Sequence, residues 1–580
     1  MERLGSSGGG VAEFLALAER DLLDLSVEAQ RADWVYATYI TPDSEALSSK
    51  AYSRLIDRTV RLVKESAAIS AAGAVPSDVR KLKLLRISLP LLAPSDPKES
   101  EELTRIVAAM SGTYAKGRHR MAGSEEAIDL QALSRILTES REPSVLEDAW
   151  SGWHRVGRVI RPEFERYVSL ANRGCREVGF ADLGAMWRSK YDMEPDAFAK
   201  EVDRLWSEVR PFYLALHAYA RRRLREQYGP DRVPERGPIP AHLLGNMWAQ
   251  SWEGIYPLLA PPSSGPGFDL TRLLLGKGTS PTDMVRFAEG FFVSLGLEPL
   301  PASFWERSML VRPKDREVVC HASAWDVDYV DDLRIKMCIE ITGEDFGTIH
   351  HELGHNYYQR AYGHLPFLFR ESAHDGFHEA IGDTVGLSVT PEYLVRIGLL
   401  SEAPPPSGDL GLLLERALEK IAFLPFGLAV DKWRWEVFSG AIAPSDYNRT
   451  WWDIRQQYQG ITPPGARGEE EFDAGAKFHV PANVPYMRYF LAHILQFQFH
   501  RALVRTSGAK EPLHRASIYG SKDAGQRLRT ALEMGQSREW PDALEALTGE
   551  RRMDASALLE YFAPLRRWLD EQNRGVPLGW

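Results

Sequence analysis

Thr348-Ile349-His350-His351-Glu352-Leu353-Gly354-His355 contains the pattern His351-Glu352-x-x-His355, and the chain is read outward from it. Two histidines four residues apart lie one helical turn from each other, so both rings can point at one metal ion. The glutamate between them falls beside that face, where it can hold a water instead of the metal. Zinc is the usual occupant of such a pair, with the glutamate as general base of a metallopeptidase. Taken alone, the pattern also fits two core histidines on a helix.

The flanks favour the metal. Thr342-x-x-Asp345 resembles a capping signal, and the helix it opens is predicted to run to about Tyr362, before Gly363. Upstream, residues 318–325 and 335–341 are short and β-branched, with a turn around Asp331-Asp332 between them. A hairpin there would run beside the helix and bring Cys320 close to Cys338. A catalytic zinc needs a third protein ligand and one open position. Glu379, in Gly376-Phe377-His378-Glu379-Ala380-Ile381-Gly382-Asp383, is the candidate, on a helix predicted over 376–388. Its apolar neighbours argue for a buried helix, where a lone carboxylate would be costly. Asp383, one turn further on, is placed to orient a zinc-bound imidazole.

The 580 residues exceed the size at which one core stops growing, so two subdomains around a cleft are expected. Most of the remainder reads as helix: 12–32, 44–71, 77–89, 99–116, 144–171, 195–227, 282–295, 451–458, 485–506, 522–534 and 554–572, with a helix over 412–438 broken near Pro425. Arg221-Arg222-Arg223 reads as a solvated helix face. Pro261 to Gly267 reads as a loop. Residues 1–10 read as a flexible start, with the remaining 11–580 as a single catalytic unit. A net charge of −10 argues against a nucleic-acid partner. No apolar run approaches the ~20 residues of a membrane span, and the start has no signal-peptide core. Three cysteines are too few for a disulfide scaffold, so on composition alone Cys175, Cys320 and Cys338 read as buried thiols.

Five stretches together carry a family likeness. They are Cys320-His321-Ala322-Ser323-Ala324-Trp325-Asp326, His350 to His355, Gly376 to Asp383, Lys477-Phe478-His479-Val480-Pro481, and Pro485-Tyr486-Met487-Arg488-Tyr489-Phe490 running on into Gln496-Phe497-Gln498-Phe499-His500. They resemble the angiotensin-converting enzyme family of peptidyl-dipeptidases, over nearly the whole chain from about Trp34 to Trp580. The resemblance implies a mainly α fold: a helical ellipsoid of two subdomains around a deep cleft, with the N-terminal helices (about 11–120) as a lid and a small hairpin near the zinc helix.

It also implies roles. His351, His355 and Glu379 would bind Zn2+, and Glu352 would take a proton from the zinc water and pass it to the leaving amine. Tyr489 would donate to the oxyanion, while His479 and His321 would hold substrate carbonyls. The backbones of Ala322 and Ala324 would line the peptide like a neighbouring strand. Gln250, Lys477 and Tyr486 match the family's cluster for the substrate's free C-terminal carboxylate; read singly, they are a helix polar residue, a surface lysine and a core ring. Phe423 and Phe426 match the lining of the pocket for the last side chain, where His493 departs from a phenylalanine of the mammalian enzyme.

Arg488 with Tyr191 matches one chloride site, and the expectation is one chloride, at Arg488, against an internal salt bridge as the alternative. Trp451 and Arg455 match part of a second chloride site, with His154 in the remaining position. Cys320 and Cys338 fall on a disulfide of the family, which implies an oxidising compartment, secreted or periplasmic, and leaves Cys175 a free thiol. The expected activity is release of C-terminal dipeptides from oligopeptides by a soluble, single-domain homologue of bacterial type without a membrane anchor. Single-residue carboxypeptidase action and non-catalytic peptide binding are the rivals. The relative that releases one residue resembles a version with Arg at the Gln250 position.

Overall fold

Thr342 sits in extended backbone and its hydroxyl accepts the Asp345 N–H at 3.0 Å, which starts the helix that carries the motif. The computed structural model that shows this describes residues 8–261 and 268–580. Of the expected flexible start at 1–10, residues 1–7 lie outside the described residues, as does most of the 261–267 loop, while 8–10 are the first residues of a helix.

Helices dominate, with two-residue pairings at 119–120 with 127–128 and at 239–240 with 461–462 beside one hairpin. The elements that build the site are α1 (Gly8–Thr38), α2 (Pro42–Ala67), α3 (Pro76–Arg86), α4 (Pro97–Ala115), α5 (Pro195–Tyr228), strands β1 (Ser323–Asp326) and β2 (Leu333–Lys336), α6 (Gly343–Tyr362), α7 (Asp375–Leu387), α8 (Asp409–Ser439) and α9 (Met487–Ser507). α6 buries Phe346, Ile349, His350 and Leu353 and turns His351, Glu352 and His355 toward a cleft. His350 belongs to the core: its Nδ1 donates to the Phe346 carbonyl at 2.7 Å, its Nε2 faces the Tyr393 hydroxyl at 2.9 Å, and burial lowers its pKa to about 4.

α6 and α7 meet at two glycines. A Cβ on Gly354 would stand 2.9 Å from the Gly382 Cα, and one on Gly382 would stand 2.7 Å from the His351 ring. Only glycine at both positions lets the helices approach this closely.

The hairpin is shorter than expected, four residues on each side. The outer residues of the expected strands bond elsewhere: the Val319 N–H reaches the Ala37 carbonyl and the Met337 N–H the Met309 carbonyl, both at 2.8 Å. α8 runs unbroken through Pro425, because residues on every side of it from Ile421 to Asp431 are buried and packing holds the turn whose hydrogen bond the proline removes. Arg221 is not a solvated face: it is 1% exposed and donates to the carbonyls of Gly237 and Pro577 at the end of α5. Leu22, Gln30 and Tyr52 of α1 and α2 share with His355, Tyr362 and Glu379 a cavity of about 810 Å3. No helix among the described residues is long and apolar enough to cross a membrane.

Candidate active site

The α6–α7 crossing brings one ligand atom each from His351, His355 and Glu379 within 4.8 Å of one another. The two Nε2 atoms are 3.1 Å apart and Nε2 of His351 is 3.6 Å from Oε2 of Glu379. Tetrahedral zinc with bonds of about 2.0–2.2 Å spaces its ligands about 3.3–3.6 Å apart. The separations of 3.1 and 3.6 Å lie close to that spacing, and two imidazoles with a carboxylate are a donor set that fits zinc. Burial opposes a charge on His351, but Asp383 and Glu379 outweigh it and raise its pKa to about 10. Burial would raise the Glu379 carboxyl; the hydrogen bond from His351 and the charge of His355 overcome it and hold it at about 2. Two carboxylates thus converge where a cation is wanted.

The groups behind the ligands are ordered as well. Oδ1 of Asp383 lies 3.2 Å from Nδ1 of His351, while its Oδ2 accepts from the Gln496 amide at 2.9 Å and Lys420 at 3.4 Å. Nδ1 of His355 lies 3.1 Å from Nδ1 of His378, which sequence reasoning had quoted without a role. Glu352 is beside His351 on the cleft side, and burial raises its carboxyl pKa against the nearby His351 charge.

The hairpin borders the cleft. Ala324, Trp325 and Asp326 line the cavity, and β1 has β2 as its one strand partner among the described residues. No strand lies on its other edge among the described residues. His321 is exposed and its Nδ1 donates to the Ala322 carbonyl at 2.8 Å. Buried Lys336 fixes this approach by donating to the carbonyls of Val319 and His321 at 2.8 and 2.6 Å. Cys320 and Cys338 are disulfide-bonded, as the resemblance implied, and Cys175 is a buried free thiol whose pKa burial pushes to about 12.

Gln250 comes together with Lys477 and Tyr486 from a distant part of the chain. Lys477 donates to Oε1 of Gln250 at 2.6 Å, and the Tyr486 hydroxyl is 3.4 Å from the same oxygen. Lys477 is 5% exposed, so it is not a surface lysine, and its ammonium lies 4.1 Å from the Trp248 ring centroid. No carboxylate pairs with it among the described residues. Burial, and then the Arg455 charge, lower its pKa to about 7. Gln250 is not on a helix: it follows Ala249, whose φ of 50° breaks any regular element.

Rings connect this cluster to Tyr489. Tyr486 lies 4.9 Å from Tyr489 and 4.6 Å from His479, and His479 lies 5.6 Å from Tyr489. Tyr489 is held protonated by burial and by the Glu379 charge. His479 is driven down to about 2 by burial and by Lys477, and its buried Nδ1 has no partner among the described residues. Phe423 stacks on His493 at 4.3 Å, while Phe426 and Tyr486 meet at 5.7 Å. The Nδ1 of His493 donates to the Tyr489 carbonyl at 2.9 Å.

Arg488 does not stand alone. Its Nη2 lies 3.2 Å from Oδ2 of Asp375, and Tyr191 is buried against the same carboxylate. The internal salt bridge, the alternative to a chloride at Arg488, is thus in place, with Lys190 beside it. At the second position Arg455 donates to the Gln459 side chain and, at 2.6 Å, to the Trp248 carbonyl. It lies 5.1 Å from the Trp451 ring, while His154 stacks on Trp150 at 3.7 Å with its pKa lowered to about 4 by burial.

Residues 8–580 match the family model described as angiotensin-converting enzyme. The chain is 43% identical to angiotensin-converting enzyme of Bos taurus over 95% of its own length and 43% of that protein's. It is 45% identical to that of Rattus norvegicus, again over 95% of this chain and 43% of the relative. To the angiotensin-converting enzyme of Theromyzon tessulatum it is 40% identical, over 94% of this chain and 89% of the relative. The chain thus spans less than half of the mammalian relatives but most of the Theromyzon one. The match over the whole described chain, with the two-histidine, one-glutamate group in place, shows that it belongs to the angiotensin-converting enzyme family.

Proposed function

We propose that the protein is a zinc peptidyl-dipeptidase that hydrolyses the penultimate peptide bond and releases C-terminal dipeptides from oligopeptides. The observation that carries this reading is Lys477: a buried cation with no carboxylate partner among the described residues, joined to Gln250 and Tyr486 in one cluster. A cation with two neutral polar partners suits a substrate carboxylate. The ring contacts from Tyr486 to Tyr489 support placing that carboxylate at one end of the reacting centre.

His351, His355 and Glu379 would hold the zinc, and Asp383 orients His351. Zinc, when bound, supplies a Lewis acid for the scissile carbonyl and for the attacking water. Glu352 takes the proton from that water and delivers it to the leaving amine; its raised pKa suits both directions of transfer. Tyr489, protonated and fixed at the start of α9, donates to the developing oxyanion. His479 and His321 hold substrate carbonyls, and the backbone of Ala322, just before β1, and of Ala324, within it, pairs with the substrate backbone. Phe423, Phe426 and His493 line the last side-chain pocket. Helices α1 to α4 act as a lid, and the disulfide supports a secreted or periplasmic setting. Chloride has no part in this reading.

Digestion of an N-blocked hexapeptide, read by mass spectrometry, tests it. Loss of two residues is expected. Loss of one residue would make the protein a single-residue carboxypeptidase, and an intact peptide bound by the zinc-loaded protein would make it a peptide-binding homologue.

A further inference from the structure

Asp375 is the first residue of α7 and Arg488 the second of α9. Their ion pair, at 3.2 Å, joins the starts of the two helices. Each end of the pair sits next to a reacting group. Glu379 lies four residues beyond Asp375, on the same face of α7, and Tyr489 directly follows Arg488. The backbones are close here too, since a Cβ on Gly376 would stand 3.2 Å from the Arg488 carbonyl. Oδ1 of Asp375 and Nε of Arg488 are both buried without a partner among the described residues, while the rest of each side chain is half-buried at the wall of the cavity. Asp375, against the opposing effect of burial, holds Arg488 above its ordinary pKa; burial, then the Asp375 charge, raise that of Tyr191.

We propose that Asp375 is a built-in anion that occupies the place of a halide between Arg488 and Tyr191 and keeps Arg488, and with it Tyr489, in working position whatever the salt. A tethered carboxylate needs no ion from solution. It also repels one, because a halide beside Arg488 would face the Asp375 charge across the same small space. The negative end further suits the N-terminus of α7, where the helix dipole favours an anion. Asp375 is thus a positioning residue that makes the centre chloride-independent.

The inference rests on the peptidase reading only in its activity arm. Zinc-loaded protein is exchanged into acetate salts, and chloride is titrated in at constant ionic strength while hydrolysis and melting temperature are followed. For the unaltered protein, kcat/KM is expected to change by less than about twofold, with no saturable rise in melting temperature. Asp375→Ala, which empties the carboxylate's space, is expected to lose at least about tenfold in kcat/KM without chloride and to regain most of it as chloride or bromide saturates, with a parallel rise in melting temperature. Asp375→Asn, which keeps the shape and removes the charge, is expected to show the same loss in acetate.

Saturable activation or stabilisation of the unaltered protein by chloride overturns the proposal, and this arm stands even if a variant fails to fold. So does an Asp375→Asn protein with full turnover in acetate, or an Asp375→Ala loss that halides do not restore, which would mark the pair as merely structural. If the unaltered protein hydrolyses no peptide, the peptidase reading fails, and the melting arm still decides this one.

Discussion

Nδ1 of His355 and Nδ1 of His378 face each other at 3.1 Å. Only one of the two can carry the proton. Nε2 of His355 points at Nε2 of His351, the metal position, so the His355 proton is on Nδ1 and His378 accepts it. His378 then carries its own proton on Nε2, which lies 3.1 Å from the Tyr362 hydroxyl and 3.5 Å from Glu371. Burial lowers the pKa of His378, which keeps the ring neutral and able to accept. Each site histidine is thus held from behind, His351 by a carboxylate and His355 by a neutral ring.

Removing the ring behind His355 should weaken zinc binding. His378→Ala is expected to lose about 10–100-fold in zinc affinity. Competition with a fluorescent chelator measures this directly. An unchanged affinity would mean that the His355 orientation does not depend on His378.

Glu352 touches no metal-binding atom in this reading, so its role separates from metal binding. Glu352→Gln should retain stoichiometric zinc by metal analysis and lose about 10²–10⁴ in kcat. Retention of wild-type turnover would remove Glu352 as the base. His351→Ala, by contrast, should lose both the zinc and the activity.

Lys477 gives the reading a pH signature. Its pKa in the free protein is lowered to about 7, and it binds a carboxylate only when protonated. It is charged below that value and neutral above it, so kcat/KM should fall as pH rises through about 7, while kcat, which reports the complex, should fall at a higher pH. The bound carboxylate raises the pKa of Lys477, hence the separation. Lys477→Met should raise KM and erase this alkaline limb. A limb that persists in Lys477→Met belongs to another group.

These residues differ in how far the sequence reveals them. His351, Glu352 and His355 are legible because helical period alone gathers them, and Thr342 shows where the helix starts. Glu379 is nearly as clear, as a carboxylate among apolar neighbours on the following helix. Lys477 and Gln250 carry no local signal. They meet across more than two hundred residues, and Gln250 stands on an irregular segment that no periodicity marks, so only the family resemblance reached them. Asp375 escaped for the same reason: its partner Arg488 is distant in sequence, and the short-range pattern cannot tell a paired guanidinium from one that holds an ion. Pro425 misled for a different reason. A proline breaks an exposed helix, but α8 is buried on all sides there, and packing outweighs the one lost hydrogen bond.

Asp431 and Arg434, one turn apart on α8 and each 1% exposed, hold the segment that carries Lys477, His479, Tyr486 and Tyr489. Oδ2 of Asp431 accepts the backbone N–H groups of Tyr486 and Met487, both at 2.7 Å, and Oδ1 accepts from Nε of Arg434 at 2.9 Å. Arg434 in turn donates to the carbonyls of His479 and Val484 at 2.9 and 2.8 Å. Asp431→Ala should destabilise the fold by about 3–5 kcal/mol, because it leaves a buried guanidinium uncompensated. An ordinary buried ion pair can be replaced by two apolar residues at little cost. This one should not be replaceable, because Asp431→Leu with Arg434→Met would leave three backbone groups without a partner, the N–H groups of Tyr486 and Met487 and the carbonyl of Val484, each worth about 1–3 kcal/mol when buried and unpaired; the His479 carbonyl keeps the Val484 N–H at 3.0 Å. Urea unfolding of the two variants measures the difference, and hydrolysis assays follow the site. An apolar double variant as stable as the unaltered protein would show that water or a shifted backbone satisfies those three groups, and that the start of α9 does not depend on Asp431.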